Sequence, residues 1–153
     1  MRVAIAHPDR LVREALRRTL AGGSLQLIWS AADRAELARF GRRDPAELLL
    51  LDASMVGPAA EALREQPSAC LVLASDDATP GVFEALSAGA LGHLPPPRLE
   101  ADGELSGAAR LLGRIQRLQA LVLKPAAVAP APPPRAARGE CPIVEKPMLT
   151  RSR

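Results

Sequence analysis

The sequence predicts an α/β fold of three layers, with a parallel five-stranded sheet between two layers of helices. Three observations predict it. Short apolar runs alternate with amphipathic stretches along residues 2–122. Several runs, LLLL at residues 48–51 above all, lack the every-second-residue alternation of a half-exposed strand and so read as strands buried on both faces. Caps and breakers separate the two kinds of segment, which is the punctuation of repeated strand–helix–strand units.

The elements follow in order. RVAIA, residues 2–6, is a short apolar strand, and Asp9 after it is a good N-cap. Residues 10–23 read as an amphipathic helix. Val12, Leu16 and Leu20 recur at four-residue spacing, arginines fill the other face, and Gly22-Gly23 stop it. LQLIWS, residues 25–30, is the next strand. Residues 32–41 form a short helix anchored by Leu37 and Phe40 and ended by Gly41. The leucine run is the third strand and ends in Asp52. That carboxylate either caps the following turn or stands at the carboxyl end of a central strand, where open α/β sheets place their chemistry.

Residues 59–66 read as a helix ended by Pro67, and residues 69–75, ACLVLAS, as a fourth buried strand. A helix over 79–89 has Thr79 as N-cap, Pro80 at the first helical position and Gly89 past the end. Residues 90–94 are a weak fifth strand. The last helix, 107–122, carries Ala108, Leu111, Ile115, Leu118 and Val122 on one stripe. From residue 123 the chain is rich in Pro and Ala without a period, which predicts a disordered tail or linker over 123–153 after a folded domain over 1–122.

Composition narrows the function. The chain has 153 residues, 48% of them hydrophobic, enough for one domain with a real core. Its aromatics are Trp29, Phe40 and Phe83 alone, so it offers no stacking platform for single-stranded nucleic acid. The formal charge is only +3, and much of the excess lies in the basic tail, where solubility explains it. Cys70 begins an apolar run and Cys141 lies in the tail. Neither suggests a disulfide framework or a zinc site, which fits a reducing compartment. The N-terminus lacks the apolar stretch of a signal peptide, and no segment is long and apolar enough to span a membrane. A cytoplasmic location is expected, with no partner among nucleic acids or membranes. AHPDRL after the first strand has no glycine, which argues against a small-ligand enzyme with a phosphate loop there.

Three stretches, LLLLDASM, LVLAS and VFEALSAGALGHL, resemble bacterial response-regulator receiver domains, and most closely the receiver half of chemotaxis-type protein-glutamate methylesterases. The resemblance covers residues 1 to about 122 and implies a flavodoxin-like fold and signal transduction by protein contact. In that family a central aspartate takes a phosphoryl group from a histidine kinase, and Asp52 stands at that position. The resemblance places Ser75 at the hydroxyl that grips the phosphoryl group. It implies a magnesium site from Asp52, the Ser54 backbone carbonyl and Asp9. The contact face of receivers corresponds to residues 79–122, open to a kinase, another signalling protein or a second copy.

The departures from the pattern concern charge. His7-Pro8 replace the acidic pair that holds magnesium, and Asp9 follows one residue late, where capping explains it equally well. Mg²⁺ favours octahedral sets of hard oxygens, so weak binding is expected. Pro96 falls where the family has a lysine, and Arg98 two residues on is a candidate replacement. Met55-Val56 replaces the usual Met-Pro. His93, on the fifth strand at a position often aromatic, reads as a half-exposed filler. His7 and His93, without nearby acids, form no recognisable catalytic pair. After residue 123 nothing supplies the serine, histidine and aspartate of a methylesterase, although PIVEKPMLTRSR weakly resembles the strand that opens such a domain. The expectation is therefore a non-enzymatic, degenerate receiver, a truncated or decayed relative. The rival expectation is a divergent working receiver phosphorylated on Asp52.

Overall fold

Five strands form one sheet in the order β2-β1-β3-β4-β5, with every neighbouring pair parallel. They are Arg2–Ala6 (β1), Gln26–Ala31 (β2), Leu48–Asp52 (β3), Ala69–Leu73 (β4) and His93–Leu94 (β5). The structure is a computed structural model that describes residues 1–57 and 68–122. The expected helix over 59–66, the tail over 123–153 and Cys141 lie outside the described residues.

Strand side chains alternate between two cores, as the pleat requires. Val3, Ile5, Leu48, Leu50, Leu71 and Leu73 face one layer, built by helices Arg10–Leu20 (α1) and Ala108–Val122 (α4). Leu16 and Leu20 of α1 and Leu111, Ile115 and Leu118 of α4 complete that core. Ala4, Ala6, Leu49, Leu51, Cys70 and Val72 face the other layer, built by Arg34–Arg43 (α2) and Val82–Ser87 (α3). All four leucines of β3 are buried, which accounts for the unbroken apolar run. Each such side chain contributes roughly 1.5–3 kcal/mol relative to staying in water. The Cys70 thiol belongs to this core, and burial pushes its pKa up to about 12, so it is inert at neutral pH.

α2 runs on through Gly41, expected to end it, and stops at Arg43. Two larger departures lie further along the chain. The helix expected over 79–89 is the shorter α3, and Thr79 does not cap it. Gly81 is the N-cap residue, in the left-handed region at φ 91°. Thr79 instead donates its hydroxyl to Asp76, 3.1 Å away. The reason is the close approach of two backbones: a Cβ on Gly81 would stand 2.2 Å from the Ala53 carbonyl oxygen. Gly81→Ala should therefore destabilise the domain by at least about 2 kcal/mol, from left-handed strain and the forced shift of the Ala53 turn. A thermal melt of G81A indistinguishable from wild type would contradict this packing.

The second departure lies between β5 and α4. Arg98–Leu99 (β6) and Leu105–Ser106 (β7) pair antiparallel as a small hairpin, and β6 packs on α1. Its tip turns through Asp102 and Gly103, the latter at φ 86°. Asp-Gly set between Leu99 and Leu105 is a hairpin signal that the sequence does carry.

Candidate functional site

The sheet register builds the site. Ala6 of β1 pairs with Leu51 of β3, so the next residues, His7 and Asp52, stand side by side at the carboxyl end of the sheet. They open into a pocket of about 640 Å³ at the carboxyl end of the strands, also lined by Asp9, Ser54, Ser75 and Thr79. The crevice beyond the strand ends is where sheets of this type place ligands.

His7 is buried, and its Nε2 lies 3.1 Å from Oδ2 of Asp52. Its other ring nitrogen, Nδ1, accepts the Asp9 backbone N–H at 3.0 Å. With Nδ1 an acceptor, the ring proton sits on Nε2 and is donated to Asp52. The guanidinium of Arg13 donates to the carbonyls of His7 and Pro8, both at 2.8 Å, and fixes the loop that carries the ring. The other carboxylate oxygen of Asp52 accepts the Ser54 N–H at 2.9 Å and the Ser54 hydroxyl. Asp52 therefore caps the short 3₁₀ turn Ala53–Met55 and faces the pocket at once. Partial burial raises its pKa. Hydrogen bonds from His7 and Ser54 outweigh that effect and hold the carboxyl below its ordinary value, so it is ionised at neutral pH.

Ser75 follows β4 and lines the same pocket, exposed. Pro96 and Arg98 line it from the other side. Among the described residues Arg98 makes no ion pair with Asp52, and its side chain is exposed. His93 stands apart from the site on β5. Its Nε2 contacts Oδ1 of Asp77 at 2.6 Å. The expectation that the two histidines lack nearby acids is corrected on both counts. Each faces an aspartate distant in sequence, brought in by strand register for His7 and by the loop after β4 for His93. Equal spacing from the leucine run to Asp52 and from RVAIA to His7 was the available signal for the first pair. Nothing local pointed to the second.

No family model matches the chain. Among curated proteins it is 38% identical over 132 residues to protein-glutamate methylesterase/protein-glutamine glutaminase 1 of Bordetella avium, covering 81% of this chain and 39% of that protein. The solved response regulator domain of Thermotoga maritima CheB superposes with a TM-score of 0.62 at 17% identity, covering 76% of this chain and 94% of that domain. The signal receiver domain of NarL from Mycobacterium tuberculosis superposes with a TM-score of 0.62 at 26% identity, over the same shares. The chain has the fold of a receiver domain and is similar in sequence to protein-glutamate methylesterases of the response-regulator type. It spans about two-fifths of the length of the curated relatives it matches, the part that aligns with their receiver region rather than their whole length.

Receiver domains bind Mg²⁺ at this end of the sheet, and the donor set decides whether this one fits. The ion takes hard oxygens in octahedral geometry and tolerates few substitutes. Here the Ser54 carbonyl already accepts an N–H of Arg34 at 2.7 Å. Asp52 accepts the His7 ring proton, and Asp9 accepts the backbone N–H groups of Leu11 and Val12 as the cap of α1. Each of the three expected ligands thus already accepts from a protein donor, Asp9 through one carboxylate oxygen only. Among the described residues no three acidic, histidine or cysteine side chains gather as a metal site. The residues present do not fit the ion. Arg34 had no sequence signal, because a surface arginine opening a helix looks like any other.

Proposed function

We propose that this receiver domain signals by protein–protein contact and that Asp52 does not run a phosphorylation cycle. The observation that carries the reading is the hydrogen bond from His7 to Asp52. A phosphoryl transfer needs a free carboxylate oxygen and cations arranged around the transferring oxygens. Here a ring N–H lies on the carboxylate, and Pro96 brings neither charge nor donor. The described residues are assigned no catalytic role. Any methylesterase activity would belong to a part of the relatives that this chain does not span.

One observation favours the rival reading of a working receiver: Asp52 is ionised and shares its pocket with the Ser75 hydroxyl. A nucleophile is therefore present, and what is lacking is stabilisation of the transferring group.

The partner reads from the face built by α3, β5 and α4. Phe83 is 82% exposed, and Leu86 and Leu91 are half-open. Arg110, Arg114 and Arg117 line a groove between β5 and α4 that has no acidic side chain among its lining residues. Apolar anchors beside cations suit an acidic signalling protein, a histidine kinase among them. A second copy docked through the same face would set arginines against arginines, so the homodimer is the poorer occupant. Among the described residues no helix is long and apolar enough to cross a membrane, and a cytoplasmic site of action is part of this reading.

Beryllofluoride with Mg²⁺ imitates the phosphoryl group on a competent receiver. The amide signals of Ser75 and of β5 should stay unmoved at saturating reagent, and Asp52→Asn should behave as wild type. Saturable shifts at Ser75 that vanish in D52N would establish the working receiver instead.

A further inference from the structure

Two protein donors lie on groups that a receiver uses to hold a metal ion, His7 on Asp52 inside the strand-end pocket and Arg34 on the Ser54 carbonyl at its edge. We infer that His7 and Arg34 together take the place of the divalent cation, bridging the Asp52 carboxylate and the Ser54 carbonyl from within the chain. The inference rests on the contact-signalling reading and deepens it, by naming what occupies the metal position.

Both donors are held in place by further bonds from their own elements. The His7 ring is gripped at Nδ1 by the Asp9 N–H, and its loop is clamped by Arg13. Those contacts leave Nε2–H one acceptor, Asp52. Arg34 is placed by a reciprocal helix cap. The Asp33 side chain accepts the Glu36 N–H at 2.8 Å, and the Glu36 carboxylate accepts the Ala32 N–H at 2.8 Å. Arg34 is thereby the first residue of α2, and its guanidinium lies over Gly57 with Nη2 on the Ser54 carbonyl.

A cation in the first turn of a helix works against the helix dipole. Helix stability therefore does not explain Arg34 at that position, whereas a carbonyl that a metal would otherwise claim does. The guanidinium also keeps its charge at any physiological pH, as a metal does. Mg²⁺ would compete with Arg34 at the Ser54 carbonyl and with the imidazole at Asp52. The site is then fixed in a cation-compensated form that needs no ion.

The test compares wild type, Arg34→Ala and the double variant His7→Asp/Arg34→Ala. Each is titrated with MgCl₂ at constant ionic strength, read by calorimetry, by the Ser54 amide signal and by the melting temperature. Wild type should show no saturation in the millimolar range. R34A removes a charge-assisted hydrogen bond competing for the carbonyl, and should bind Mg²⁺ about tenfold more tightly. The double variant should bind more tightly again and gain melting temperature with Mg²⁺. Saturation of wild type below millimolar Mg²⁺ would overturn the inference. So would folded variants that bind no better than wild type. If the double variant does not fold, R34A alone decides, because Arg34 is exposed. Failure here leaves Asp52 unphosphorylated all the same. Failure of the contact-signalling reading shows instead as phosphate on wild-type Asp52.

Discussion

Leu50→Asp should abolish folding. Leu50 is fully buried in the middle strand of the sheet, paired with Ile5 on one side and Leu71 on the other. Its side chain enters the core shared with Leu16, Leu111 and Ile115. The substitution loses roughly 1.5–3 kcal/mol of apolar burial. It also leaves a carboxyl with no partner inside that core, which costs several kcal/mol more whether the group stays charged or takes up a proton. Domains of this size are stable by only about 5–15 kcal/mol in total, so little or nothing remains. Leu11→Asp is the control with the same chemistry at a position 68% exposed, and it should melt as wild type does. Circular dichroism checks both. A soluble L50D that melts cooperatively would contradict the doubly covered sheet.

The fold was legible because its signals are local and repeated. An unbroken leucine run can be satisfied only between two layers, and the stripe of Leu111, Ile115 and Leu118 supplies part of one of them. Asp9 capping α1 was readable for the same reason, since a cap is a matter of two or three residues. Thr79 misled by offering an equally good local signal. The tertiary demand of the Ala53 carbonyl on Gly81 overrode it, and no window of sequence around either residue contains that demand.

The site was half legible. Asp52 at the end of a buried strand invited two readings, cap or chemistry, and the structure shows that one carboxylate serves the turn with one oxygen and faces His7 with the other. The replacement of acids by His7-Pro8 was visible. What that replacement does was not, because the contact spans 45 residues of sequence and depends on strand register. Arg34 lay beyond reach altogether: its role comes from the packing of the α2 start against the turn after β3, and its residue type at a helix start is commonplace.

In the proposed reading the strand-end pocket keeps a carboxylate but lacks the means to receive a phosphoryl group. Transfer from a small donor passes through a state in which negative charge spreads over the transferring oxygens. Stabilisation that is already in place when the charge develops is the largest part of catalysis in such sites. Here Pro96 supplies none, and the ion that would neutralise those oxygens meets Arg34 and His7 on its ligands. Each lost charge contact removes roughly a hundredfold in rate. Arg98 lines the pocket, and its exposed side chain is the remaining cation within the lining. The direct measurement is the intact mass of the full chain after an hour with acetyl phosphate and Mg²⁺ at neutral pH, beside Asp52→Asn treated identically. Both proteins should keep the unmodified mass. A gain of one phosphate on wild type, absent from D52N, would contradict it.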